Sequence, residues 1–130
     1  MIPEGKQFPK SERLCSRKAI EALFAGGNRT FSAFPLRVVF SEVEEPATQI
    51  LISVSKRHFK HAVDRNRAKR QVREAWRLNR DILADSPHHY HLAFIWLANE
   101  PQPSDILHRK VKNLLHRIVE SATPSVSDLC

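Results

Sequence analysis

ISVSKRHFKHAVDRNRAKRQVREAWR, residues 52–77, changes its periodicity part-way and gathers the charge of the chain. Its front end continues QILISVS (49–55), apolar and β-branched, the composition of a mostly buried strand. From residue 62 the period becomes helical. At 100° per residue Ala68, Val72, Ala75 and Ile82 fall within about 40° of one direction, with Trp76 and Leu78 at the edges of that stripe. Asn66, Lys69, Arg70, Arg73, Arg77 and Arg80 fill an arc on the opposite side, bordered by Glu74. A buried strand running into a long one-sided helix predicts a sheet with a helix laid on it.

Charge sharpens that prediction. Residues 56–80 hold ten Lys or Arg against Asp64 and Glu74, so this stretch carries all of the chain's formal excess of +7. Like charges at i,i+4 repel by about a few tenths of a kcal/mol each, so the ridge does nothing for folding. Asp64 reads as the N-cap. That placement puts Arg65 and Arg67 in the first turn, where cations oppose the macrodipole and a phosphate would be welcome. A merely solvated face mixes signs, and this one does not. The Arg-rich ridge suits forked phosphate recognition and leaves DNA, RNA and acidic lipid open; the modestly apolar stripe opposite argues least for a membrane.

Working outward, LCSRKAIEALFAGG (14–27) spaces Leu14, Ile20, Leu23 and Phe24 as a short helix, ended by Gly26-Gly27. From Thr30, Phe34, Leu36, Val38 and Phe40 alternate with Ala33, Pro35, Arg37 and Val39 as a strand with Pro35 near its start. SEVEEPAT (41–48) reads as an acidic connector. DSPHHYH (85–91) reads as a loop, and LAFIWLA (92–98) as a buried strand. The last helix follows PQP, with Ser104 as N-cap and Ile106, Val111, Leu114, Leu115 and Ile118 as its apolar stripe. Residues 1–12 and 122–130 read as flexible ends of one domain spanning 1–130. The ordering predicts an α+β fold, one mixed sheet covered by helices.

The Ser-x-Ser-Lys-Arg strand end (Ser53, Ser55, Lys56, Arg57) and the helix carrying Arg65, Asn66, Arg67, Lys69, Arg70, Arg73 and Glu74 closely resemble the bacterial ribonuclease P protein subunits. The likeness extends more weakly over residues 13–120. It implies a compact α-β sandwich in the order α-β-β-β-α-β-α with a left-handed βαβ crossover, a hand that strand physics alone would not suggest. It also implies a role: assisting a catalytic RNA in removing the 5′ leader of precursor tRNA. On that reading Lys56, Arg57, Arg65, Asn66, Arg67, Lys69, Arg70, Arg73 and Arg77 bind RNA, with the basic helix on the RNA subunit and the division of the surface between RNA subunit and precursor tRNA left open. A cleft between the basic helix and the sheet would hold the leader, with Arg13, Ile20, Phe24, Val38, Ser53 and Ser55 as its candidate residues. Ile20 and Val38 stand where the family often has aromatics, Leu51 where it has glycine, and FIWLANEP replaces the usual basic ending of the last strand.

The implied partners are the ribonuclease P RNA subunit and precursor tRNA, with no membrane and no obligate protein partner. The implied cofactor is Mg²⁺ held by RNA and substrate. No HExxH, no spaced Ser-His-Asp set and no paired acids for a two-metal site are visible, so no catalytic residue and no metal ligand is assigned to the protein. His88, His89 and His91 lack a neighbouring acidic or Cys ligand and fit a loop. Cys15 and Cys130 form no CxxC and are expected to be free thiols. The longest apolar run is far short of a membrane span and the N-terminus lacks a signal-peptide pattern, which points to the cytoplasm. Two alternatives remain: a ribosomal or translation-factor-like RNA-binding module, and a DNA-binding regulator using residues 65–80 as recognition helix. The latter needs a preceding helix, and ISVSKRHFK reads instead as strand and loop.

Overall fold

A computed structural model describes residues 13–25, 29–43, 48–84 and 89–122. The expectations for 1–12, for Gly26-Gly27, for His88 and for 123–130 lie outside the described residues. In chain order the elements are α1 (Arg17–Phe24), β1 (Arg29–Ala33), β2 (Leu36–Val43), β3 (Gln49–Ser53), α2 (Ala62–Asn79), α3 (Asp81–Ala84), β4 (His89–Trp96) and α4 (Ser104–Ala122). The α+β class and the predicted order hold, with α3 as an added turn of helix.

The four strands form one sheet in the order β1-β2-β4-β3. β1 pairs antiparallel with β2 and β2 with β4, whereas β3 lies parallel to β4, so the sheet is mixed. The parallel pair is joined through α2 and α3, which makes the basic helix the crossover itself.

Alternation along the strands splits the molecule into layers. Leu36, Val38, Phe40, Ile50, Tyr90, Leu92, Phe94 and Trp96 face one way and meet Val72, Trp76, Leu107, Val111, Leu114 and Ile118 of α2 and α4 in the main core. Tilted ring pairs fill it, with Trp76 and Phe94 centred 6.3 Å apart and Phe59 and Trp96 5.7 Å apart. The Trp96 indole N–H donates to the Ala98 carbonyl at 2.8 Å, so its one polar atom is satisfied. On the other face α1 closes a smaller core of Leu14, Leu23 and Ala93, with Ile20, Val39 and Leu51 packed beside it.

Several predicted boundaries move, each for a physical reason. The strand read from Thr30 is two strands. Phe34 and Pro35 make a turn, consistent with the residue before a proline favouring extended or turn backbone, and Phe34 is 64% exposed rather than inward. Of the expected acidic connector, Ser41–Val43 belong to β2, and 44–47 lie outside the described residues. His89, Tyr90 and His91 belong to β4, not to a loop; they pair with Val43, Glu42 and Ser41, and Tyr90 and His91 are buried. The basic helix stops at Asn79, where the buried side-chain amide donates to the Ala75 carbonyl at 2.9 Å and competes with the helix ladder. Ile82 therefore falls in α3, and Leu78 is exposed. In α4 Leu107, not Ile106, is fully buried, a shift of one position around the helix.

Candidate nucleic-acid interface

The amphipathic reading of α2 survives in its main part. Ala68, Val72, Ala75 and Trp76 are buried, while Asn66, Arg67, Arg70 and Arg73 are exposed and Lys69, Arg77 and Arg80 half-exposed. A backbone docked on the sheet on one side thus presents its cations on the other. Arg67, Lys69 and Arg70 form no ion pair among the described residues, so their charge is available to an outside anion. Arg77 differs. Its guanidinium grips Glu74, with Nε donating to Oε2 at 3.0 Å, and this hydrogen bond raises the arginine further above its already high ordinary pKa.

The helix start departs from the prediction. The N-cap is His61, without a side-chain hydrogen bond, and Asp64 lies inside the first turn. Its carboxylate there complements the macrodipole and would repel a phosphate. Arg65 folds back, donating from one Nη to the carbonyls of Phe59 and Lys60, both at 3.0 Å. The helix N-terminus expected as a phosphate site is thus occupied by the protein's own acid, and Arg65 latches the loop ahead of α2. That loop is further held by the Ser55 hydroxyl, which accepts from the Arg57 N–H at 3.0 Å, and by a 2.7 Å hydrogen bond between His58 and Asn99. Lys56 and Arg57 sit exposed in the turn so formed, between the end of β3 and the ridge. Because α2 follows a strand and a turn, the helix-turn-helix reading has no first helix to stand on.

The second group of candidate residues separates. The interface between α2 and the sheet is packed core along Val72 and Ile50, and the hollow at its Arg80 end, lined by Thr48, Trp76, Leu83 and His89, includes none of these candidates. Ile20, Phe24 and Ser53 collect instead on the α1 face, while Arg13 stands at the edge of the sheet, paired with Ile50 of the main core. Arg13 bridges to Ile50 at the outer side of β3, where the Leu14 N–H donates to the Ile50 carbonyl at 2.8 Å. α1 starts from a Ser16 cap whose hydroxyl accepts from the Ala19 N–H, crosses the sheet on Ile20 and Leu23, and ends with Phe24 47% exposed. Val38 does not join them. It is fully buried on the far face, and its neighbour Val39 takes the place beside Ile20. Period-2 alternation makes that error of one residue a change of face.

Arg37 and Phe34 were placed in a strand by their pattern and not among the candidate site residues. Arg37 was legible as outward-facing from its neighbours, and the Ala-Phe-Pro sequence was the available signal that Phe34 sits at a turn. Cys15 is an exposed free thiol. Among the described residues no three His, Cys, Asp or Glu side chains stand together as ion ligands, and no helix is long and apolar enough to cross a membrane.

Fold and ridge together define a class of small α+β proteins that hold a polycationic helix rigidly toward a polyanion. The chain belongs to the ribonuclease P protein family, the protein component of a tRNA-processing endoribonuclease. The Ribonuclease P family model matches residues 8–119. The ribonuclease P protein component of Porphyromonas gingivalis is 37% identical over 123 residues, covering 89% of each chain, and that of Chlorobium phaeobacteroides is 31% identical over 126 residues, covering 84% of this chain and 86% of the relative. Among solved structures, the RNase P protein from Thermotoga maritima superposes with a TM-score of 0.69 at 24% identity, over 82% of this chain and 96% of that one. The Staphylococcus aureus RNase P protein gives 0.67 at 18% identity, over 84% and 96%.

Proposed function

We propose that this chain acts within ribonuclease P by two surfaces, the α2 ridge laid on the phosphates of the RNA subunit and the α1 face of the sheet receiving the single-stranded 5′ leader of precursor tRNA. The observation that carries the first half is the set of solvent-facing cations Arg67, Lys69 and Arg70, without an ion pair among the described residues, on a helix whose other side is anchored in the core. Asn66, Arg73, Lys56 and Arg57 extend that surface; Arg65 supports it through the loop, and Arg77 contributes through its pair with Glu74. For the second half, Phe24 offers an exposed ring at the end of α1, beside a sheet face that carries Ser53 and is bordered by Arg13.

The described residues offer no constellation to hold Mg²⁺. The ion would be held by RNA and substrate, and the protein's share is to neutralise phosphates and position the leader. The work would be done in the cytoplasm. Reconstitution with a bacterial ribonuclease P RNA tests this directly: precursor-tRNA cleavage at low Mg²⁺ should be stimulated by the folded protein. Unchanged cleavage would sink the assignment.

A further inference from the structure

Strand register sets four residues in one row across the α1 face. Ser32 pairs with Arg37, Arg37 with Ile95, and Ile95 with Ser53, so the row crosses all four strands, a span of about 14 Å at the usual strand spacing. The neighbouring row, Val39, Ala93 and Leu51, lies under α1. The Arg37 row lies clear of it: Ser32, Arg37 and Ser53 are exposed and Ile95 half-exposed. Arg37 is also pre-aimed. Its Nε donates to the Ser32 hydroxyl at 3.3 Å, while its two Nη groups are engaged by no other described residue. One end of the row is Ser53, which leads through Ser55 into Lys56 and Arg57. Beyond the other end, two residues past Ser32, stands Phe34 at the hairpin turn. Phe24 and Phe34 are the exposed aromatic rings among the described residues.

We propose that this row is a further stretch of the leader path, in which Arg37 holds a leader phosphate, Ile95 seats a base and Phe34 stacks the base that leaves the sheet at its β1 side. The inference rests on the reading of the α1 face as the leader surface. A single strand needs flat apolar or aromatic seats beside positive charge. Ile20 of α1 and Val39 beneath that helix, both half-buried, give no ring to stack on. The row supplies a cation, an apolar seat and, at its corner, a ring. A double-stranded segment fits poorly, because the cations it needs would have to be spread along the row, and here one arginine stands among neutral side chains.

The test compares holoenzymes reconstituted with wild-type, Arg37→Gln, Phe34→Leu and Phe34→Tyr proteins, binding precursor tRNA with a single-nucleotide leader or with a leader of several nucleotides. Affinity for the long leader should fall about fivefold or more in Phe34→Leu, the lower end of what base–aromatic stacking contributes, and Phe34→Tyr should restore it. Arg37→Gln should also weaken the long leader and reduce the salt slope by about one. Affinity for the short leader and for the RNA subunit should stay at the wild-type level in every variant, which also reports that the proteins are folded. Wild-type affinity for the long leader in both Phe34→Leu and Arg37→Gln would overturn the inference while leaving the leader reading intact. Equal losses for both leaders would overturn it too, by showing a general effect. A wild-type holoenzyme indifferent to leader length would remove the leader reading and this inference with it.

Discussion

On the ridge, the Arg77–Glu74 pair sets the chain's own carboxylate against one of its cations. The arginine can meet a phosphate only by sharing or releasing that carboxylate. Glu74→Gln removes the competitor and keeps the side chain's size, so binding to the RNA subunit should tighten and its salt slope should steepen by about one, read from affinities across a salt series. An unchanged slope would mean that Arg77 takes no part in the interface. Arg65 shows the opposite lesson. It carries the same charge as its neighbours in sequence, but two carbonyls hold it, and only coordinates could tell a latch from a contact.

At the scale of elements, α2 separates stability from binding by face. Arg67→Glu with Arg70→Glu changes only exposed positions, so thermal unfolding should move by no more than about 0.5 kcal/mol. Binding to the RNA subunit should drop by about an order of magnitude or more, because two favourable phosphate contacts become repulsions. Leu114→Ala on α4 should do the reverse. The side chain is fully buried between α4 and the sheet, and its loss should cost about 2–5 kcal/mol in denaturant unfolding, with the salt slope of the remaining folded protein unaltered.

Much of this element-level structure was legible because periodicity reports burial directly: Leu36, Val38 and Phe40 inward in β2, Ala68, Val72 and Ala75 inward in α2, Val111 through Ile118 inward in α4. The failures share a cause. Tyr90 and His91 look like loop residues until neighbouring strands cover them, Asn79 looks like a surface residue until α4 brings His108 to its amide, and the helix then ends there. Local pattern carries no information about what arrives from thirty residues away. For the site, the ridge was readable because it lies on one helix, whereas the α1 face is assembled from α1 and all four strands, where a one-residue step in the alignment with the family put Val38 on the face that Val39 occupies.

On the scale of the molecule, charge and core are arranged back to back. The main core lies between the sheet and the α2–α4 layer, and the cations stand on the outside of that layer, so binding a polyanion requires no rearrangement of the fold. Association should therefore be dominated by counterion release. With about six phosphates neutralised, affinity for the RNA subunit should fall by about three orders of magnitude between about 50 and 200 mM salt. A flat response in a filter-binding series would count against a phosphate-tracking ridge.

The strand order has one more implication, for synthesis. β2 and β3 follow each other along the chain yet do not touch as neighbours; β4 is inserted between them and pairs with both. A nascent chain that has made the whole of α2 still lacks the strand that unites its sheet and much of the apolar surface on which that helix docks. The polycationic segment therefore becomes an ordered surface only when residues 89–96 close the sheet and α4 seals it. Maturation of the binding surface waits on the C-terminal third of the chain.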